Sequence, residues 1–143
     1  MKNLVVLLFV SISTISFAQI AKYSNEFLSV GVGARALSMA NANVASVNDV
    51  TAGYWNPAGL QLQQSNVQIG LMHAEYFAGI AKYDFIGGSK RVDSNSVVGV
   101  TFIRFGVDNI PNTTELIDAN GNVDYSRLKS FNAVDAAVLL SYA

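Results

Sequence analysis

A glycine-rich stretch is the first feature of this sequence that could bind a ligand. Gly31-x-Gly33-x-x-Ala36 follows an apolar run, as does the turn that holds the phosphates of a dinucleotide. That turn works only inside a strand–helix–strand unit with an acidic residue at the end of the second strand. Asp49 stands near the required distance, but its neighbours do not have the pattern of a buried strand. The sequence therefore predicts no nucleotide site and no other bound cofactor.

Catalytic and metal-binding residues are equally scarce. The chain has no cysteine and a single histidine, His73. This excludes disulfides, thiolate catalysis and metal sites built on paired histidines. Serines and carboxylates occur, but without a second histidine or a nucleophile elbow they do not form a recognisable active site. We predict no metal site and no enzymatic activity.

Composition sets this chain apart from ordinary soluble domains. Of its 143 residues, 51% are hydrophobic and only 13% are charged. The charged share is about half of that in a typical soluble domain. Such a chain needs either a large dry core or a surface that faces something other than water. The formal net charge of −1 gives no general attraction to nucleic acid, so we expect no nucleic-acid partner.

The first 18 residues have the pattern of a cleaved secretory signal peptide. Lys2 supplies a basic start, and an unbroken apolar run follows over residues 4–10. Ser16-Phe17-Ala18 is a small-x-small cleavage site, which would leave Gln19 as the first mature residue. The apolar run is too short for a transmembrane helix, which needs ~20 residues. We therefore predict an exported protein.

Four segments of the C-terminal half alternate apolar and polar or small residues with the period of a β-strand. They cover residues 65–74, 79–86, 96–105 and 133–142. Each has about ten residues, and at ~3.3 Å per residue and a ~40° tilt that length crosses the apolar band of an outer-membrane barrel, about 25 Å. Strands of a water-soluble sandwich alternate in the same way but are shorter, ~5–6 residues. Long strands, few charges and the signal peptide together favour the membrane barrel.

The predicted fold is thus an all-β transmembrane barrel of the antiparallel, outer-membrane type with a small helical N-terminal hatch. We assign residues 1–18 to the signal peptide, 19–64 to the hatch and 65–143 to the first strands of the barrel. About four strands are present, whereas the smallest such barrels have eight. The alternation also continues to the last residues of the chain. We therefore expect the sequence to be a truncated barrel in the outer membrane, in contact with its lipid.

The predicted hatch is dense in glycine, alanine and serine, which allows close backbone packing. Asp49 is a candidate N-cap for a short helix over residues 50–54. Asn56 and Pro57 have the pattern of an N-cap and first helical position. Gly59 is expected to end that second helix within a turn.

Three blocks of residues in this region resemble a known family. Gly-Ala-Arg-Ala-Leu-x-Met-Ala at 33–40, Asn-Asp at 48–49 and Tyr-Trp-Asn-Pro-Ala-Gly-Leu at 54–60 are similar to the N-terminal signature of the PorV/PorQ proteins. These proteins belong to the wider FadL-like group of outer-membrane barrels. The first block points to PorV/PorQ, and the last is shared across the wider group. Where the family pattern has a pair of glycines after the Met, this chain has Ala40-Asn41.

The resemblance implies a closed barrel whose lumen is filled by the hatch. PorV-type members serve type IX protein secretion, and the expected partners are then secreted cargo and other subunits of the secretion system. FadL-type members pass hydrophobic small molecules such as long-chain fatty acids across the outer membrane. The sequence leaves this second function open as the alternative.

Several single residues carry further expectations. Arg35 and Asp49 are charges in a segment expected to be enclosed, and buried charges are usually paired. We predict that Arg35 and Asp49 pair with each other or with Lys82 and Asp84, which we expect to lie on the lumenal face of the barrel. The alternative is that both charges are solvated at the mouth of the barrel.

Aromatic residues carry two more expectations. Trp55, with Tyr54, is expected to pack the hatch against the wall; a hydrophobic ligand path is the other interpretation. Four further aromatic residues are expected to form a girdle at the membrane surface; they are Tyr76, Tyr83, Phe85 and Tyr142.

Overall fold

The computed structural model describes residues 25–117 and 121–143. The predicted signal peptide, residues 1–18, lies outside the described residues, as do residues 19–24 of the predicted hatch. The described part consists of a segment of short helices, residues 25–64, followed by an antiparallel sheet. We call residues 25–64 the helical segment. Its elements are the 3-10 helix η1 (Glu26–Ser29), the α-helices α1 (Ala34–Ser38) and α2 (Ala52–Trp55), and the 3-10 helix η2 (Pro57–Leu62).

Four strands form one sheet in chain order, each antiparallel to the next. Tight connections join the first three strands, and a longer one, with the 3-10 helix η3 (Tyr125–Arg127), precedes the last. The strands are β1 (Val67–Tyr76), β2 (Ala81–Asp93), β3 (Ser96–Asn112) and β4 (Lys129–Tyr142). This confirms four long antiparallel strands. The last three extend further than predicted: β2 continues past residue 86 to Asp93, and β3 and β4 extend into the polar stretch between them.

The sheet is open in the described part of the chain. β1 pairs only with β2, and β4 pairs only with β3. Each of these two strands therefore presents one edge of backbone groups without a described strand partner. The helices are short, and none in the described residues is long and apolar enough to cross a membrane.

Alternation of side chains gives the sheet two different faces, with register shifts between Arg91 and Asp93 and between Val107 and Ile110. One face lies under the helical segment, and we call it the covered face. The other, the open face, has no described element packed on it. Along β1 the open face carries the predicted apolar positions Val67, Ile69 and Leu71, and along β4 it carries Val134, Val138 and Leu140.

The core lies between the helical segment and the covered face. Phe27 and Val32 of the helical segment pack with Tyr83 and Phe85 of β2 and with Ile103 of β3. Burying a side chain of this size stabilises the fold by about 1.5–3 kcal/mol. A second cluster lies beside the first; it consists of Val47, Ala52, Leu60 and Val97. The two clusters attach the helical segment to the sheet.

The prediction that Lys82 and Asp84 face the helical segment is wrong. β2 presents Tyr83 and Phe85 to the helical segment, so its even-numbered positions, including both charged residues, lie on the open face. The physical reason is that Phe27 and Val32 need an apolar wall, which the two aromatic rings supply. Tyr83 and Phe85 are therefore core residues and not part of an aromatic girdle. β2 carries apolar residues on both faces, which is why its pattern did not decide the orientation.

Candidate functional site: the helical segment and the two faces of the sheet

Gly33, in the turn before α1, has a backbone conformation that favours glycine. Its φ of 91° lies in the region that favours glycine. Its backbone N–H donates to the sulfur of Met72 on β1, at 3.2 Å. This bond ties the start of α1 directly to the first strand.

The neighbouring turn at residues 40–41 has a backbone that favours glycine, although the chain has Ala40 and Asn41 there. Ala40 has a φ of 52° and Asn41 a φ of 66°, so both are left-handed. A glycine pair would adopt this backbone without strain, and asparagine is the next most tolerant residue. The Asn41 side chain also contributes a hydrogen bond, since its Nδ2 donates to the Val30 carbonyl at 3.3 Å.

Trp55 and Tyr54 bind the backbone of the helical segment. The indole Nε1 of Trp55 donates to the Val32 carbonyl at 2.8 Å, and the Tyr54 hydroxyl donates to the Leu28 carbonyl. Burial raises the pKa of the Tyr54 hydroxyl above its ordinary value, which keeps the donor protonated. The two rings meet edge to face with centroids 4.8 Å apart. These contacts support the packing interpretation of Trp55, since its polar atom is engaged by the segment itself.

Asn56 and Pro57 begin η2 as predicted. The Asn56 side chain accepts from the Ala58 backbone N–H at 3.3 Å, and Pro57 occupies the first helical position. The Asn56 Nδ2 also donates to the Val44 carbonyl at 3.1 Å. Gly59 does not end the helix, which continues to Leu62. Gly59 instead permits close packing, because a Cβ there would lie 2.5 Å from the Val47 carbonyl oxygen.

Arg35 and Asp49 do not form the predicted ion pair. Both residues line the same cleft of about 130 Å³ in the helical segment, and both are exposed. Asp49 accepts from the backbone N–H and the hydroxyl of Thr51, at 2.8 and 2.6 Å. Thr51, and not Asp49, holds the N-cap position, because α2 begins later than predicted. Among the described residues neither charge has an ion-pair partner, and this agrees with the alternative of two solvated charges.

Arg91 is the charge that ties the helical segment to the sheet, and sequence reasoning missed it. Its Nη2 donates to the carbonyls of Gln61 and Gln63, both at 3.1 Å, and its Nη1 donates to the Gln61 side chain at 3.3 Å. Ser89, two residues earlier on the same face of β2, donates to the Gln63 side chain at 2.7 Å. Continuing the alternation of the covered face from Phe85 to residue 91 could have found it.

β4 contributes a further polar contact. The Ser141 hydroxyl donates to the Gly53 carbonyl at 3.1 Å in a buried position. Gly53 lies so close to the sheet that a Cβ there would be 2.9 Å from the Thr101 hydroxyl. The helical segment is thus held by β1, β2 and β4 through hydrogen bonds, and its apolar side chains pack on β1, β2 and β3.

The open face has an apolar area built from aligned rows. Ile69, Gly88, Val100 and Leu140 are paired across the four strands, and so are Leu71, Ile86, Phe102 and Val138. Most of these side chains are highly exposed, as shown by Ile69 at 76% and Leu140 at 82%. A continuous exposed apolar surface of this kind is unusual on a soluble monomer and indicates contact with a membrane or a partner.

Charged residues replace this apolar surface in the next row. Asp84 lies between His73 and Arg104, which are its register partners on β1 and β3. His73 Nδ1 is 2.6 Å from Asp84 Oδ1, and Arg104 NH1 is 3.2 Å from Asp84 Oδ2. The second ring nitrogen of His73 faces Glu75 at 3.5 Å. Both nitrogens thus face carboxylates, which is typical of an ion-pair cluster and not of a histidine that activates a nucleophile.

Comparisons with known proteins assign no relative to this chain. No protein family, no curated protein and no solved structure matches it. Among the described residues there is also no group of three or more His, Asp or Glu side chains placed to hold a metal ion.

Proposed function

We propose that this chain is the N-terminal part of an outer-membrane β-barrel that assists type IX protein secretion by binding exported cargo. The open face of the sheet is the observation that carries the membrane part of this proposal. Its outward positions on β4 run from Val134 to Tyr142 and include no charged residue. Nine residues at ~3.3 Å per residue span roughly 30 Å along the strand. When the strand is tilted as in a barrel, this length covers the apolar band, which is about 25 Å high.

The two open edges support a larger barrel. An edge strand exposes unpaired backbone N–H and C=O groups, and these groups cannot be left unsatisfied in lipid. The free edges of β1 and β4 therefore need further strands on either side. In the proposed barrel the covered face lines the lumen and the helical segment is the hatch.

The charged row on the open face marks one boundary of the membrane on β1 to β3. A lone charge in hydrocarbon is costly, and the cost falls towards the interface and when the charge is paired. Asp84 is paired with both Arg104 and His73, and Lys82 is paired with Asp108 at 2.8 Å. This arrangement fits the level of the lipid headgroups.

The secretion role rests on the resemblance of residues 33–40 to the PorV/PorQ signature. Its proposed partners are outer-membrane lipid, secreted cargo proteins and other subunits of the secretion system. The proposed role is binding and not catalysis.

Deleting this gene in the source bacterium tests the secretion role. The proteins of the culture medium are compared by mass spectrometry before and after deletion, and a plasmid copy of the gene serves as the control. We expect secreted proteins that share a C-terminal domain to disappear from the medium and accumulate in the periplasm. An unchanged medium contradicts the cargo role. Loss of uptake of long-chain fatty acids would then favour the alternative, a transporter of hydrophobic small molecules.

A further inference from the structure

Among the described residues, one cation of the open face has no ion-pair partner. Lys90 of β2 is exposed, and no described carboxylate lies within ion-pair distance of it. Lys82, on the same face of the same strand, is instead held by Asp108 at 2.8 Å. An ammonium group among apolar side chains is stabilised by an anion nearby. A ligand that is itself largely apolar can bring that anion to the site.

A groove begins at this lysine. Its volume is about 370 Å³, and its lining includes Val67 and Ile69 on one side, Val98 and Val100 on the other, with Gly88 between them and Lys90 next to it. The floor is low at Gly88 because glycine has no side chain, and a Cβ there would meet only Val100, at 3.8 Å. The groove thus offers apolar walls and a single positive charge.

The row that contains Lys90 has the character of a membrane interface. Lys90 aligns with Val98 and Tyr142, and the exposed Tyr142 hydroxyl lies 3.0 Å from the Ser96 hydroxyl. Tyrosine and lysine are typical of the level where acyl chains meet headgroups. The long lysine side chain can carry its positive charge towards headgroup level, and the groove extends from it towards the middle of the membrane.

We propose that this groove binds one anionic phospholipid, with an acyl chain over Gly88 and the phosphate at Lys90 Nζ. This inference rests on the proposed membrane location of the open face. It adds a specific ligand to the open face. The outward positions of β4, by contrast, offer apolar contact but no cation.

Site-directed quenching tests the site, and these 143 residues contain no cysteine that would compete with an introduced one for the label. The full-length protein carries a fluorophore at Leu71→Cys, beside the groove, or at Val138→Cys, its counterpart in the same row on β4. Each is reconstituted in phosphatidylcholine vesicles with brominated phosphatidylglycerol or brominated phosphatidylcholine. We expect the probe at position 71 to prefer the anionic lipid about fivefold, as one lysine near a membrane surface allows. The probe at 138 should show no preference.

Two further variants separate charge from shape. K90Q should abolish the preference at position 71, whereas K82Q, the matched lysine that is already paired, should keep it. G88L should weaken quenching by both lipids at position 71 by filling the groove. Equal quenching by both lipids at position 71, unaffected by K90Q, overturns the lipid site and leaves the membrane location intact. Absence of quenching at both probes overturns the membrane location itself.

Discussion

The Val50 side chain lies directly above Gly70, in a space that exists only because Gly70 has no side chain. A Cβ at Gly70 would be 2.6 Å from Val50 Cγ1. Gly70 is paired with Gly87 on the adjacent strand, where a Cβ would lie 3.1 Å from the other methyl group of Val50. The two paired glycines thus form a recess in the covered face that receives one apolar side chain of the helical segment.

Gly70→Ala should therefore destabilise the docking of the helical segment. The added methyl group must displace Val50, and overpacking of this kind costs about 1–3 kcal/mol. Thermal unfolding measures the loss, and fluorescence locates it, since Trp55 is the only tryptophan of the chain and lies in the helical segment. Gly88→Ala is the matched control, because a Cβ at Gly88 would meet only Val100, at an ordinary contact distance of 3.8 Å. Equal melting temperatures for both variants would show that the recess does not matter.

The second prediction concerns the hydrogen bonds by which Arg91 holds η2 to the sheet. Arg91→Gln removes the donors to the Gln61 and Gln63 carbonyls, and hydrogen bonds to a charged group contribute about 1.5–3 kcal/mol each at most. We expect backbone amides of η2 to exchange with solvent faster while those of the strands are unchanged. Hydrogen exchange followed by mass spectrometry measures this.

Arg35→Gln is the control for that experiment. Arg35 is exposed and has no ion-pair partner among the described residues, so its loss should leave exchange in η2 unaltered. If Arg35→Gln loosens η2 as much as Arg91→Gln does, then Arg91 is not what holds this helix to the sheet.

The turn at residues 40–41 predicts a stabilising substitution. Ala40 has a φ of 52°, where a residue with a Cβ is strained by about 1–2 kcal/mol relative to glycine. Ala40→Gly should raise the melting temperature, by somewhat less than that strain implies because glycine gains entropy in the unfolded chain. Ala42→Gly, an exposed neighbour without positive φ, should lower the melting temperature or leave it unchanged. A fall on Ala40→Gly would mean that the turn is not under strain.

The sequence was sufficient for much of this fold, and particular residues show where it failed. Alternation assigned Val98, Val100 and Phe102 to one face, and the structure confirms it. The cap at Asn56 and Pro57 was predictable because it depends only on local backbone chemistry.

Long-range choices were not predictable from local pattern. The orientation of β2 depends on which of its faces meets Phe27 and Val32, and those contacts join residues more than fifty positions apart. The charged residue that holds the helical segment to the sheet was also not predictable from local pattern. Arg35 and Asp49 were chosen because they lie in the segment expected to be enclosed, whereas Arg91 acts from the strand opposite it.

The ion pair on the open face gives the last prediction. Asp84 accepts from Arg104 and lies against His73, and its side chain is only partly exposed, so removing it leaves a cation without its partner on a surface proposed to meet lipid. Asp84→Leu should therefore impair folding of the barrel in lipid vesicles. The double variant Asp84→Leu with Arg104→Leu should recover most of the loss, because replacing a paired set of charges by apolar groups is often neutral. Urea titration in vesicles, followed by the gel shift between folded and unfolded barrel, compares the three proteins. A double variant less stable than Asp84→Leu alone would show that Arg104 has another partner, and that this row is not a self-contained ion-pair cluster at the membrane boundary.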